Sequence, residues 1–321
     1  MMLDNAPRAA LGWHKQGKQA ALATVIETWG SAPRPKGSQL AISEDGELVG
    51  SVSGGCVEGA VVAEALDAMG DKRHRVLEYG VTDDEAFAVG LACGGTIRIL
   101  LEPVGGGLSP VVLEDLVDRR QRAEVVGQAT SVASGQAHLL GPSAMEDRLR
   151  QDLSGFEPDG DTFVTLHAPP LRLAVVGGVH IAQALVPMAR LAGYAVTVID
   201  PREAFASADR FPATLLDHDW PDDAMERFNP DGRSAVVLLT HDPKLDDPAL
   251  QVALQSPAFY VGALGSTRTH AKRVARMAEA GLSAEAMARL DAPIGLNIGA
   301  KTPGEIAIAI LAAMTQTLRQ G

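Results

Sequence analysis

Residues 171–200 read LRLAVVGGVHIAQALVPMARLAGYAVTVID. LRLAVV is a short apolar, β-branched run, and residues 180–192 carry the apolar spacing of an amphipathic helix. Gly177-Gly178 separates the two, and 195–199 reads as a second strand ending at Asp200. Strand, glycine turn, helix and strand open a βαβ unit. The alternation continues: a strand over 235–240 ends at His241-Asp242, another over 258–264 ends at Gly265-Ser266, and helices cover 268–280 and 303–319. Strands that alternate with helices form right-handed crossovers and a parallel sheet. The spacing therefore predicts a C-terminal, Rossmann-like doubly wound parallel sheet over 169–321. Ligands of such sheets bind beyond the carboxyl ends of the strands, where each of these polar clusters falls.

Gly177, Gly178, His180, Asp200 and Arg202 are candidate contacts for a nucleotide. The order resembles the dinucleotide fingerprint G-x-G-x-x-G/A, in which the middle glycine lets the backbone approach a pyrophosphate. Here that position is Val179, whose branched side chain should obstruct a standard dinucleotide. Asp200 stands at the distance for a ribose contact and disfavours a 2′-phosphate, whereas Arg202 favours one. An NAD(P)-dependent oxidoreductase built on this half is one functional reading. His241 and Asp242 form a second cluster, with a purely structural histidine as the alternative. Gly265, Ser266, Thr267 and Arg268 place a glycine, two hydroxyls and a guanidinium at a helix start, a candidate anion cradle.

The first half reads as an N-terminal α/β domain over 1–105. Residues 19–28 are apolar and β-branched, a buried strand; 29–36 must be a loop, because two prolines cannot sit in a central strand. Segments 38–42 and 48–52 flank a turn at Asp45-Gly46. Helices are expected at 57–69 and 82–89, and strands at 73–79 and 96–101. VGGGLSP at 104–110 breaks the pattern, and 106–168 reads as a connecting subdomain.

Residues 50–59, GSVSGGCVEG, put Cys56 beside Gly54-Gly55 at the start of the helix, with Ser53 or Gly54 as its cap. Unpaired amides and the helix dipole favour an anion there and make a thiolate more available. A small buried cysteine in a tight turn is the plainer alternative. The other cysteine repeats the setting, as Cys93-Gly94-Gly95. Neither has zinc-ligand spacing. Ser31, Arg34 and Lys36 lie in a proline-stiffened loop suited to a phosphate or a carboxylate.

The chain has 321 residues, a length that suits two domains, and a net charge of −12. That charge argues against nucleic-acid binding and against an anionic membrane surface. No apolar run reaches the 18 or so residues needed to span a bilayer. No apolar segment follows a basic stretch at the start, so no secretory leader is expected. Two cysteines make no disulfide framework, and a reduced, cytoplasmic location is expected.

ETWGSAPRPKGS (27–38), GSVSGGCVEGAV (50–61), GLACGGTIRILLEP (90–103), VIDPREAFA (198–206), LTHDPKLDDPAL (239–250), YVGALGSTRTHAKR (260–273) and PIGLNIGAKTPGEIAIAI (293–310) occur in that order. In these stretches the chain resembles the xanthine dehydrogenase accessory factor (XdhC/CoxI) family. The resemblance implies a molybdenum cofactor chaperone rather than an enzyme: a homodimer that holds the molybdopterin cofactor while a cysteine desulfurase installs a sulfido ligand, then delivers it to a molybdenum hydroxylase such as xanthine dehydrogenase. It also carries over Cys56 and Cys93 as the candidate contacts to molybdenum. Whether they touch the metal, carry sulfur or shape the loop stays open at this point.

Overall fold

The computed structural model of the chain describes residues 5–29, 34–80 and 95–320. It divides into two compact units between Pro169 and Pro170.

In the first unit, helix α1 (Ala6–Lys15) leads into strand β1 (Ala20–Trp29). A hairpin follows, β2 (Gln39–Ser43) and β3 (Leu48–Gly50), turning at Gly46 with a left-handed φ of +79°. Helix α2 (Glu58–Asp71), β4 (Arg75–Tyr79) and β5 (Thr96–Pro103) complete an antiparallel sheet of order β3-β2-β1-β5-β4. Side chains of a strand alternate between faces. Ala21, Ala23 and Val25 of β1 therefore pack under α2, while Ala20 and Leu22 pack toward α1 and helix α3 (Pro110–Gln121). Burial on both faces explains why β1 reads as a continuous apolar run. The helix expected at 82–89 lies outside the described residues.

After α3 come β6 (Val126–Ser131), β7 (Ala137–Leu140), the short helix α4 (Glu146–Gln151), β8 (Gly155–Phe156) and β9 (Thr162–His167). These strands form a second antiparallel sheet, β7-β6-β9-β8. A buried polar pair joins the two sheets: Gln128 Nε2 on β6 makes a long 3.5 Å contact with Glu102 Oε2 on β5. Glu102 is 1% exposed, and its Oε1 has no partner among the described residues. Desolvation pushes its carboxyl up to about 8.

The second unit runs β10 (Arg172–Val176), α5 (His180–Leu191), β11 (Ala195–Ile199), β12 (Leu215–Asp217), α6 (Pro221–Phe228), β13 (Ser234–Leu238), α7 (Pro243–Gln255), β14 (Tyr260–Ala263), α8 (Thr267–Glu279), α9 (Ala284–Ala288), β15 (Leu290–Asp291) and α10 (Pro303–Gln320). Every strand pair is parallel, and the order is β12-β11-β10-β13-β14-β15. Leu173 and Val175 face α5 and α10, whereas Ala174 and Val176 face α6 and α7. The doubly wound parallel sheet expected from the alternation is therefore present. Its strand order reverses between β10 and β13, the topological switch point. No helix among the described residues is long and apolar enough to cross a membrane.

The buried Glu102 links stability to pH. Its folded pKa lies above the unfolded value of 4.5, so its contribution is complete below pH 4.5 and is lost as pH rises through about 8. The unfolding free energy from urea titrations should fall across that window by up to about 1.4 kcal/mol per pH unit. Glu102→Gln should flatten that slope; an unchanged slope in the variant would assign it to another group.

Candidate functional site

The strand register of the first unit brings several nominated segments to one end of its sheet. Trp29 of β1 pairs with Thr96 of β5, Tyr79 of β4 pairs with Ile97, and Gly50 of β3 pairs with Leu40 of β2. The segment that leaves β3 there, 51–57, folds around a carboxylate that residue type and spacing do not single out. Glu58, the first residue of α2, turns back into the loop. Its Oε1 accepts from Ser51 Oγ at 2.7 Å, Ser53 N at 2.9 Å and Val52 N at 3.2 Å. Its Oε2 accepts from Gly55 N at 2.8 Å and from the Ser53 hydroxyl. Desolvation works against this charge, but hydrogen bonds from Ser53 and Ser51 outweigh it and hold the carboxyl down at about 2. Gly54 N donates to Ser51 Oγ at 2.9 Å. The amides of Ser53, Gly54 and Gly55, expected to face a guest anion, are thus supplied with an acceptor by the chain itself. Helix α2 starts later than expected, with Val57 as its N-cap, and Ser53 Oγ accepts from Val57 N at 2.9 Å.

Cys56 rides on this clamped loop as a free, half-buried thiol whose inner side touches the α2 core cluster. Around it the surface is open: a Cβ added at Gly55 or Gly59 would meet nothing within 4 Å. Arg34 Nε donates to the Ser51 carbonyl at 3.2 Å, tying the proline loop to the same turn, and Lys36 is exposed. Gly95 is buried just ahead of β5. Ser31, Cys93 and Gly94 lie outside the described residues.

In the second unit the dinucleotide-like turn is closed by its own side chains. A Cβ at Gly177 (φ +106°) would come within 2.6 Å of Thr240 Cγ2, and one at Gly178 within 2.5 Å of the Phe205 carbonyl oxygen. Packing against the turn after β13 demands Gly177, and packing against the segment after β11 demands Gly178. Asp200, fully buried, takes Gly178 N on Oδ2 at 2.8 Å. Arg202 grips both of its oxygens, Nε on Oδ1 and Nη2 on Oδ2 at 2.8 Å, and donates its amide at 3.0 Å. Burial opposes the charge, but the bonds from Arg202 and Gly178 outweigh it and lower the carboxyl's pKa. Both oxygens a ribose would need are taken. Val179 packs partly into the core, and His180 is exposed.

At the neighbouring strand ends, His241 adopts a left-handed φ of +62°, an uncommon conformation for a side chain with a Cβ. Asp242 caps α7, accepting from Lys244 N at 2.9 Å, and Ser266 Oγ caps α8, accepting from Thr269 N at 3.2 Å. Those two groups therefore hold helix ends. His241 and Arg268 are brought together as walls of one pocket of about 290 Å³, at the carboxyl edge of the sheet. Its remaining polar lining includes Asp246, Lys272, Arg273 and Arg276, none of them nominated from sequence, although Arg268, Lys272 and Arg276 recur every fourth residue on α8. Gly265 (φ +148°) lies over the buried Arg273: a Cβ there would be 3.8 Å from Nη1. Among the described residues no three His, Cys, Asp or Glu side chains gather to hold a metal ion.

Residues 173–314 match the XdhC Rossmann domain, and residues 13–80 match the XdhC and CoxI family. The chain is 34% identical, over 296 residues, to the molybdenum cofactor insertion chaperone PaoD of Escherichia coli, covering 92% of this chain and 82% of that protein. The chain belongs to the XdhC and CoxI family. A second relative of this XdhC/CoxI chain, a probable xanthine dehydrogenase component of Bacillus subtilis, is 27% identical over 94% of each. A crystal structure from Bacillus halodurans, described as a xanthine dehydrogenase, superposes with a TM-score of 0.72 at 25% identity, covering 98% of this chain and 96% of that one.

Two outcomes follow from this geometry. Glu58→Ala should destabilise the first unit by about 2 kcal/mol, because it strands charge-assisted donors. The Glu58 contribution is present above the unfolded pKa of 4.5 and lost as pH falls through about 2, so the deficit relative to wild type should shrink in acid melts. NAD at millimolar concentration should leave the melting temperature unchanged, since Arg202 and Gly178 occupy both oxygens of Asp200; a shift would mean that Arg202 releases it.

Proposed function

We propose that this chain is a carrier for the molybdenum cofactor. It works as a cytoplasmic homodimer that holds the cofactor as cargo while a cysteine desulfurase adds the sulfido ligand, and passes it to a molybdenum hydroxylase such as xanthine dehydrogenase. Membership of the XdhC and CoxI family and the 34% identity to a molybdenum cofactor insertion chaperone support the reading.

The observation that carries it within the molecule is the setting of Cys56. A thiolate is a soft ligand suited to a sulfur-rich molybdenum centre. This thiol is free and half-buried, on a loop that five hydrogen bonds to Glu58 hold in place. Gly59 strengthens the case. It sits in the first turn of α2, has an ordinary negative φ and faces open space, so neither conformation nor packing requires a glycine. A glycine inside a helix costs about 0.5–1 kcal/mol relative to alanine. Close approach of a guest to the helix start beside Cys56 accounts for that cost.

The test is the molybdopterin content of freshly purified protein, read as the fluorescence of its oxidised pterin. Cys56→Ser should lose most of the bound pterin with little change in melting temperature. Gly59→Gln should raise the melting temperature yet lower pterin retention. Undiminished retention in both variants would remove this surface from cofactor binding.

A further inference from the structure

The pocket between α7 and α8 contains a buried cation without enough acceptors. Arg273 is 2% exposed. Its Nη2 donates to the Leu264 carbonyl at 2.9 Å and stands 3.6 Å from Asp246 Oδ2, too far for a hydrogen bond. Its Nε and Nη1 have no partner among the described residues. A buried guanidinium with two empty donors is expensive unless something else accepts from it. Desolvation accordingly lowers the pKa of Arg273.

The surroundings repeat the same imbalance. Arg268, Lys272 and Arg276 stack one above another at four-residue spacing, and like charges at that spacing destabilise a helix. Arg276 is relieved by a bidentate pair with Asp247, at 2.5 and 2.9 Å. Arg268 and Lys272 have no ion-pair partner among the described residues. Asp246 is the single carboxylate lining the pocket; its Oδ1 accepts from Thr240 Oγ1 at 2.6 Å, and its Oδ2, facing Arg273, has no hydrogen-bond partner among the described residues. With Arg276 paired to Asp247, three cationic side chains remain against Asp246, a local excess of positive charge in a chain of net charge −12. The volume, about 290 Å³, lies at the small end for ligand pockets and suits a head group rather than a whole dinucleotide.

We propose that this pocket binds the terminal phosphate of a phosphate monoester, with Arg273 donating from Nε and Nη1 at its floor and Arg268 and Lys272 supplying charge at its rim. Guanidinium and ammonium groups are the usual partners of a phosphate dianion. This site stands independently of the cofactor proposal, because it belongs to the second unit and Cys56 to the first.

The test uses the full chain and compares inorganic phosphate with chloride at matched ionic strength, by thermal shift and titration calorimetry. A nucleoside monophosphate and NAD serve as further probes. Phosphate and the monophosphate should both stabilise the protein, and NAD, whose phosphates are diesters, should not. Equal affinity for the first two assigns recognition to the phosphate alone, and tighter binding of the monophosphate adds a nucleoside to the site; either result supports the proposal. The exposed changes Arg268→Gln and Lys272→Gln leave the core untouched and should each weaken phosphate binding about tenfold. Arg273→Met, which keeps the buried volume, should abolish it. Absence of a phosphate-specific shift in the wild type at millimolar concentration, or full affinity in the Arg268 and Lys272 variants, would overturn it.

Discussion

A hydrogen-bond donor withdrawn from water must find an acceptor, and in this protein that requirement decides what each glycine-rich turn is able to do. Turns at the ends of strands and the starts of helices collect backbone N–H groups in one place. Left open, such a cluster invites an anion. At two of these turns the chain supplies the anion itself. Glu58 fills the turn before α2, and Asp200 ties Gly178 to Arg202 at the end of β11. Both carboxylates are held in the charged form, which marks them as structural partners of their turns. Arg273 is the case where buried donors outnumber the acceptors the chain provides.

Glycine pairs that look alike in sequence do different work for the same reason. Gly177-Gly178 is compact because Thr240 and the Phe205 carbonyl leave no room for a methyl group. That pair serves the joint between two crossovers at the switch point, where a dinucleotide-binding protein would keep a crevice. Gly55 has a φ of +115° and open space beyond it, and Gly59 has open space alone. There the missing side chains leave surface uncovered around a thiol. Steric surroundings, rather than the residue type, separate a packing glycine from one that leaves open surface.

Charge is distributed in the same local way. A net charge of −12 says that the molecule as a whole repels polyanions. It says nothing of a cleft a few ångströms across, where field and desolvation are set by the nearest side chains. The α8 stripe is positive within an acidic protein because its counter-charges, Asp246 and Asp247, are fewer than its cations. The pocket of the Rossmann-like unit thus lies at the carboxyl edge of its sheet, one strand away from the switch point.

The alternation of β-branched runs and helical spacing determined the second unit without help from coordinates, because a parallel sheet buries both faces of its strands and so writes them as unbroken apolar runs. The apolar run of β1 and the turn at Asp45-Gly46 were legible for equally local reasons. Cys56, His241 and Arg268 were likewise nominated from residue type and position. Tertiary structure alone decided which donors were already satisfied. Glu58 is adjacent in sequence to the turn it fills, yet nothing in SGGCVEG says that its carboxylate folds back rather than pointing to solvent. Arg273 reads as one more cation on a polar helix, and only the packing of α8 against α7 removes it from water. Hydrogen-bond satisfaction depends on which atoms meet in space, and a string of residues records the donors and acceptors without recording their partners.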